Sequence, residues 1–129
     1  MSASTERRDA ASLAAGLERL LGEAAVLTAA ADRRFFSQDI AGPRAHIAAC
    51  VIQPQSVEQL AAAVAIATAA GFAVVPRGGG SSYTGGYVPP HDDCVLVDTR
   101  RLARVVEINT DDLYVVVEAG CTWQSLLAA

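Results

Sequence analysis

A glycine-rich segment at residues 74–86, VVPRGGGSSYTGG, carries the clearest chemical signal in this sequence. Glycine has no Cβ, so a ligand can lie directly against its backbone, and it adopts positive φ at no steric cost. Successive backbone N–H groups in such a turn can point into one concavity that binds an anion. The hydroxyls of Ser81 and Ser82 add donors, and Gly85 and Gly86 let the chain turn back. The segment favours a loop that binds a pyrophosphate over a plain surface turn, with Gly78, Gly79 and Gly80 free to take positive φ.

Two other phosphate-binding loops do not match this segment. The P-loop needs a lysine that reaches the phosphates, and all 10 basic residues of the chain are arginine. The dinucleotide fingerprint G-x-G-x-x-G must open a helix whose N-terminus carries the pyrophosphate. Here Tyr83 stands at the third glycine and Pro89–Pro90 follows the loop, so we expect no helix there. Arg77 could contact the ligand or be structurally paired, and the sequence leaves both open.

The loop must be held by the strands on either side of it. Ala73–Pro76 and Cys94–Asp98 are short apolar runs, typical of buried strands. The clearest helix runs from Ser56 to Ala70 and starts with a capping box, S-x-x-Q. Together with a strand at Ile47–Pro54, this helix predicts a parallel, right-handed βαβ unit.

Shorter elements flank this unit, each indicated by apolar spacing, capping or turn residues. They are helices at Asp9–Leu21 and from Thr122 onward, strands at Ala25–Thr28, Arg104–Ile108 and Leu113–Ala119, a turn at Asn109–Asp112, and a polar loop at Ala31–His46. In that loop Phe35 or Phe36 is expected to anchor in the core. Trp123 is expected to pack against the sheet.

Composition bounds the class of protein. With 129 residues, 52% hydrophobic and 19% charged, the chain suits one globular domain. A net charge of −4 and no basic patch argue against binding to nucleic acid or anionic membrane. We find no signal peptide or membrane span and expect a cytoplasmic protein. The cysteines Cys50, Cys94 and Cys121 are then expected to be small buried residues, with no disulfide or metal site.

Four sequence patterns follow one another along the chain. They are P-x-S-x-E-x-[VL] at residues 54–60, G-[IF]-x-[VL]-x-[PV]-R-G-G-G at 71–80, V-x-L-D-[LT]-x-x-[LM]-x-x-V at 95–105, and V-x-[VA]-E-[AP]-G-x-x-[WYL]-x-x-[LV] at 115–126. In the third, Val97 stands at the leucine position. In this order the patterns resemble those of the FAD-linked oxidases of the vanillyl-alcohol oxidase/p-cresol methylhydroxylase (PCMH) superfamily, and the D-lactate dehydrogenase and glycolate oxidase branch is the most similar.

The resemblance implies an α+β fold, the first of two subdomains between which FAD lies extended. We therefore predict the first subdomain of a PCMH-type FAD-binding domain: a small sheet with a βαβ unit and flanking helices, truncated at the C-terminus. Residues 1–45 would form an N-terminal helix and lead-in loop. Residues 46–129 would form the first half of the FAD-binding domain, with the second half and the substrate cap absent.

The resemblance also implies the cofactor site. Members that attach FAD covalently through this loop carry a histidine after the glycines, and here Gly80–Ser81 stands there, so non-covalent FAD is expected. A small-molecule substrate, a 2-hydroxy acid of the D-lactate or glycolate type or a related alcohol, would be bound by the absent part. The electron acceptor is not indicated, and no catalytic or metal-binding residue is assigned. The predicted cofactor-binding residues are Pro76, Arg77, Gly78, Gly79, Gly80, Ser81, Ser82, Gly85 and Gly86.

Two alternatives of other classes stay open: a non-catalytic module that binds a nucleotide or anion, and an inactive fragment with uncovered apolar strands. The remaining polar residues have plain interpretations. His46 and His91 are expected to be solvated, and Asp98 to cap the turn before Leu102 rather than bind a ribose. Tyr83 and Tyr87 flank the second glycine pair and could cover the cofactor, but we favour ordinary half-buried tyrosines.

Overall fold

A four-stranded sheet carries the glycine-rich loop at one edge. Its strands are Val26–Leu27 (β1), Cys50–Ile52 (β2), Ala73–Arg77 (β3) and Cys94–Asp98 (β4), in a computed structural model that describes residues 8–129. The spatial order is β1-β2-β4-β3. β1 pairs antiparallel with β2, while β4 pairs parallel with both β2 and β3. Residues 1–7 of the predicted lead-in unit lie outside the described residues.

The predicted βαβ unit is present with one refinement. Its helix, α3 in chain order, spans Val57–Ala69. The Ser56 hydroxyl caps it by accepting a hydrogen bond from the Gln59 N–H at 3.2 Å. The Gln59 side chain accepts in return from the N–H of Gln55, the residue before the cap. β2 and β3 are parallel, as expected, but β4 lies between them, so the crossover through α3 skips one strand position.

One face of the sheet is covered by two helices. The first helix, α1, spans Ala10–Leu21, starts at an Asp9 cap and ends at Gly22. Its buried leucines pack with α3 and with the side chains of Val95 and Val97 in one apolar cluster. Side chains alternate between the two faces of a strand, so the neighbouring residues of β4 face the opposite side. All five residues of β4 are buried, as expected of a central strand covered on both faces.

The opposite face is covered by a short helix and by the loop itself. Helix α2, Ala30–Phe36, corrects the predicted loop at Ala31–His46. Its first turn has no side-chain cap, so local sequence did not reveal it. Tertiary contacts hold it instead: Phe36 is buried against β2 and β4, and Arg33 donates hydrogen bonds to two backbone carbonyls.

A hairpin follows the main sheet and forms a separate two-stranded sheet. Its strands are Val105–Asn109 (β5) and Tyr114–Val117 (β6). The predicted turn between them is confirmed, because the Asn109 side chain accepts hydrogen bonds from the N–H groups of Asp111 and Asp112. All four residues of β6 are exposed.

The last helix, α4, spans Trp123–Leu127 and is capped by the Thr122 hydroxyl as predicted. The prediction for Trp123 is wrong: its side chain is 80% exposed. It lines a shallow depression with residues of β6, and so lies beside the hairpin and not on the main sheet.

Candidate cofactor-binding site

The glycine-rich loop leaves the carboxyl end of β3 and returns to the amino end of β4. Residues 78–93 contain no helix or strand, so the expectation that no helix follows the glycines is confirmed. The carboxyl ends of β2, β3 and β4 lie at the same edge of the sheet because these strands are parallel. In open α/β sheets, ligands bind in the crevice outside that edge.

The five glycines of the loop divide into two groups by backbone geometry. Gly80 and Gly85 have φ of +75° and +76°, a conformation that favours glycine. Gly78 and Gly79 do not, so of the three consecutive glycines only Gly80 uses the expected positive φ. A Cβ at Gly79 would meet nothing nearer than the Ser81 hydroxyl, 3.8 Å away.

Gly78 and Gly86 likewise have room for a Cβ. A Cβ at Gly78 would meet only the Thr99 hydroxyl at 4.0 Å, and one at Gly86 only the Thr84 hydroxyl at 3.7 Å. Both distances are ordinary van der Waals contacts or longer. The folded chain itself therefore has no need for glycine at positions 78, 79 or 86.

Side chains within the loop fix its shape. The Ser82 hydroxyl accepts a hydrogen bond from the Thr84 N–H and lies 2.9 Å from the Thr84 hydroxyl. The Tyr87 hydroxyl donates to the Ser82 carbonyl at 2.9 Å, and the Ile40 N–H approaches the same oxygen. Neither tyrosine of the loop is half-buried: Tyr87 is 8% exposed and Tyr83 is 75% exposed.

Arg77 lies beneath the loop and is only 6% exposed. Its Cζ lies 5.0 Å from the ring centroid of Phe36, 5.3 Å from that of Tyr87 and 5.6 Å from that of Phe35. These distances are within the range of cation–π attraction. Its Nη2 occupies the place where a Cβ of Gly80 would stand, so a side chain at residue 80 would have to displace the guanidinium. Burial lowers the pKa of the Arg77 guanidinium from its ordinary value.

Asp98 ends β4 and organises the edge of the sheet. Its carboxylate accepts hydrogen bonds from Nε and Nη2 of Arg100 at 2.9 and 2.8 Å, and from the Gln53 side chain at 2.9 Å. It also caps the short turn Thr99–Arg101, as predicted. Burial alone would raise the pKa of this carboxyl, but the hydrogen bonds from Arg100 and Gln53 outweigh burial and leave the pKa below its usual value.

Two contacts join this turn to the loop and to the chain after the hairpin. The Thr99 hydroxyl donates to the Arg77 carbonyl at 3.3 Å, where the glycine-rich loop begins. On the other side, the Gly120 N–H donates to the Leu102 carbonyl at 2.7 Å. A Cβ at Gly120 would collide with the Thr99 carbonyl oxygen. The sequence patterns predicted no role for Gln53, Thr99 or Gly120. Thr99 and Gly120 lie in two of the matching patterns, those at residues 95–105 and 115–126.

The other polar residues noted in the sequence form no reactive cluster. His46 Nδ1 lies 3.1 Å from a carboxylate oxygen of Asp92, and His91 Nδ1 lies 3.5 Å from the Cys94 sulfur. Cys50 and Cys94 are buried as expected, but the prediction is wrong for Cys121, which is partly exposed. Within residues 8–129, no group of three or more His, Cys, Asp or Glu side chains could hold a metal ion, and no helix has the length and apolarity to cross a membrane.

Comparison with known proteins places this geometry in a family. Residues 48–129 match the family described as FAD binding domain. The chain is 31% identical over 78 residues to "D-lactate dehydrogenase [cytochrome], mitochondrial" of Kluyveromyces lactis, covering 59% of this chain and 14% of that protein. It is 30% identical over 84 residues to "1'-carboxy-chondrochloren decarboxylase" of Chondromyces crocatus, covering 64% of this chain and 16% of that protein.

Solved structures share the fold over nearly the whole chain. The TM-score is 0.82 against 4-ethylphenol oxidase from Gulosibacter chungangensis, at 25% identity, covering 95% of this chain and 24% of that one. It is 0.81 against p-cresol methylhydroxylase, at 18% identity, covering 97% and 25%. The chain thus spans about a quarter of the length of these structures. It belongs to the FAD-binding domain family, has the α+β fold of the first subdomain of a PCMH-type FAD-binding domain, and has FAD as its cofactor.

Proposed function

We propose that the loop at residues 76–86 holds the diphosphate of FAD. The observation that supports this most directly is the set of three glycines for which the folded chain has no need. At each of them a Cβ would make no contact shorter than 3.7 Å, and a ligand pressed against the backbone is what would exclude a side chain there. The residues present fit a diphosphate.

In this proposal each predicted residue has a simple task. Gly78 and Gly79 give close approach to the backbone, while Gly80 and Gly85 shape the turn through their positive φ. Gly86 leaves room beside the backbone where the chain turns back toward β4. Ser81, which is exposed, is available as a donor, while Ser82 is occupied in the loop. Pro76 and Arg77 form the end of β3 from which the loop departs.

We further propose that the chain is the cofactor-holding part of a longer flavin-dependent oxidoreductase that oxidises a 2-hydroxy acid or a related alcohol. When bound, FAD would supply the acceptor for the substrate's hydride. The name of the Kluyveromyces lactis relative supports a 2-hydroxy acid, whereas the Chondromyces crocatus relative is named a decarboxylase. A substrate site elsewhere in the longer protein, non-covalent attachment of FAD and a cytoplasmic location are further parts of this proposal.

Titration of the purified chain with FAD, ADP and riboflavin tests the assignment. We expect FAD and ADP to bind and riboflavin, which lacks phosphate, to bind far more weakly. Failure of the chain to take up either FAD or ADP would contradict the proposal. Tight ADP binding without any further gain from the flavin half would favour the alternative of a nucleotide- or anion-binding module.

A further inference from the structure

The guanidinium of Arg77 is a buried cation without a carboxylate of its own. Among residues 8–129, no acidic side chain forms an ion pair with it, and its Nε has no hydrogen-bond partner. The nearby carboxylate of Asp98 is already bound by Arg100 and Gln53. Burying a charge without a charged partner is unfavourable, so packing alone does not account for a guanidinium at this position.

Aromatic rings hold this cation in one place. Three ring centroids lie between 5.0 and 5.6 Å from its Cζ. Phe35 and Phe36 belong to α2, and Tyr87 belongs to the part of the loop that runs back to β4. The guanidinium therefore links α2 to the loop. The electron-rich faces of the rings attract the cation but do not neutralise it.

The position of the cation relative to the loop is the second observation. Nη2 of Arg77 fills the place of the missing side chain of Gly80, and so lies directly against the backbone of the glycine turn. Negative charge placed on the other side of that backbone would be attracted by the guanidinium without touching it. At short range, with protein atoms rather than bulk water between the charges, Coulomb attraction is stronger than in water.

We infer that Arg77 is a positioning residue, whose guanidinium, fixed by aromatic rings beneath the loop, places a positive charge behind the backbone N–H groups that receive a diphosphate. This inference rests on the proposed function of the loop. It explains both the unpartnered Nε and the pairing of Arg77 with a glycine three residues later. The bound anion would complete the charge balance that the protein leaves open.

The test compares R77K, which keeps the charge, with R77M, which removes it. R101M is the matched control because Arg101 is exposed in the turn after β4, at the same edge of the sheet. Affinities for inorganic pyrophosphate and for FAD are measured by calorimetry, after urea unfolding has shown that each variant folds. R77Q replaces R77M if the methionine variant does not fold.

We expect R77M to weaken pyrophosphate and FAD binding about tenfold or more, R77K to stay within about threefold of wild type, and R101M to be unchanged. R77M binding as tightly as wild type would overturn the inference, and so would R77K being as weak as R77M, since charge would then not be the cause. A wild-type chain that binds pyrophosphate but not FAD would refute the proposed function and leave the role of Arg77 standing. Binding of neither ligand would overturn both.

Discussion

Alanine substitutions at two adjacent glycines, Gly79 and Gly80, should separate the needs of the fold from those of the ligand. At Gly79 the φ angle is not in the left-handed region, and a Cβ would meet nothing nearer than the Ser81 hydroxyl at 3.8 Å. Replacing such a glycine stabilises a protein by about 0.4–1 kcal/mol, because the unfolded chain has fewer conformations to lose. We therefore expect G79A to be as stable as wild type or slightly more stable, yet to bind FAD at least about tenfold more weakly, a loss of about 1.4 kcal/mol.

Gly80 should behave in the opposite way. Its φ is +75°, and an alanine in that conformation is disfavoured by about 1–2 kcal/mol. The new methyl group would also displace the guanidinium of Arg77. We expect G80A to lose at least that stability, with weaker FAD binding as a consequence of the distorted loop.

Urea unfolding followed by circular dichroism gives the stability of each variant, and quenching of flavin fluorescence gives its affinity for FAD. G79V extends the series, since its branched side chain reaches further than alanine and should abolish measurable binding. FAD binding by G79A as tight as that of wild type would contradict the proposal, because the space beside Gly79 would then not be filled by the ligand. Destabilisation of G79A as large as that of G80A would contradict the difference between the two glycines.

Three further predictions concern the turn after β4, the charge of Asp98 and the burial of the cysteines. Gly120→Ala should destabilise the chain by about 1–3 kcal/mol in urea unfolding, because the methyl group would overlap the backbone of the turn after β4; a neutral substitution would contradict the packing described. Asp98 has a pKa below its ordinary 3.8 in the folded state, so its carboxylate contributes stability above that pH and loses the contribution as pH falls through the lower folded value. Asp98→Asn should lower the free energy of unfolding at pH 7 by about 1.5–3 kcal/mol. It should also reduce the loss of stability that wild type shows as the pH is lowered, and an unchanged acid dependence would contradict the role given to Asp98. Burial raises the pKa of Cys50 to about 11 and that of Cys94 above its usual value. A thiol reagent at pH 8 should therefore label Cys121 alone until urea is added. Rapid labelling of all three cysteines in the folded chain would contradict the burial of Cys50 and Cys94.

Local sequence signals predicted most of the elements and the place of the loop. The capping residues Ser56 and Thr122 predicted where two helices begin, and short apolar runs predicted the strands. Each of these features depends on residues within a few positions of one another. These helix and strand predictions are confirmed because the interactions that stabilise each element are local.

Features that depend on distant contacts were missed. Helix α2 has no side-chain cap and is held by the burial of Phe36 and the hydrogen bonds of Arg33. The aromatic surroundings of Arg77 combine rings from residues 35, 36 and 87, which no spacing rule brings together. Trp123 was misassigned because an aromatic residue on an apolar helix looks buried, whatever surface the helix meets.

The insertion of β4 between β2 and β3 has a consequence for the order of folding. β2 and β3 are synthesised earlier, but neither has a parallel neighbour until residues 94–98 arrive. Helices α1 and α3 can pack together before that step, while the sheet must wait for a strand that is distant in sequence, which slows folding. The glycine-rich loop, which joins β3 to β4, is closed by the same event. On the proposed function of this loop, FAD would bind only to a chain whose sheet is complete. Pulse-labelling hydrogen exchange during refolding should therefore protect the amides of β4 together with those of β3, and protection of β3 well before β4 would contradict this order.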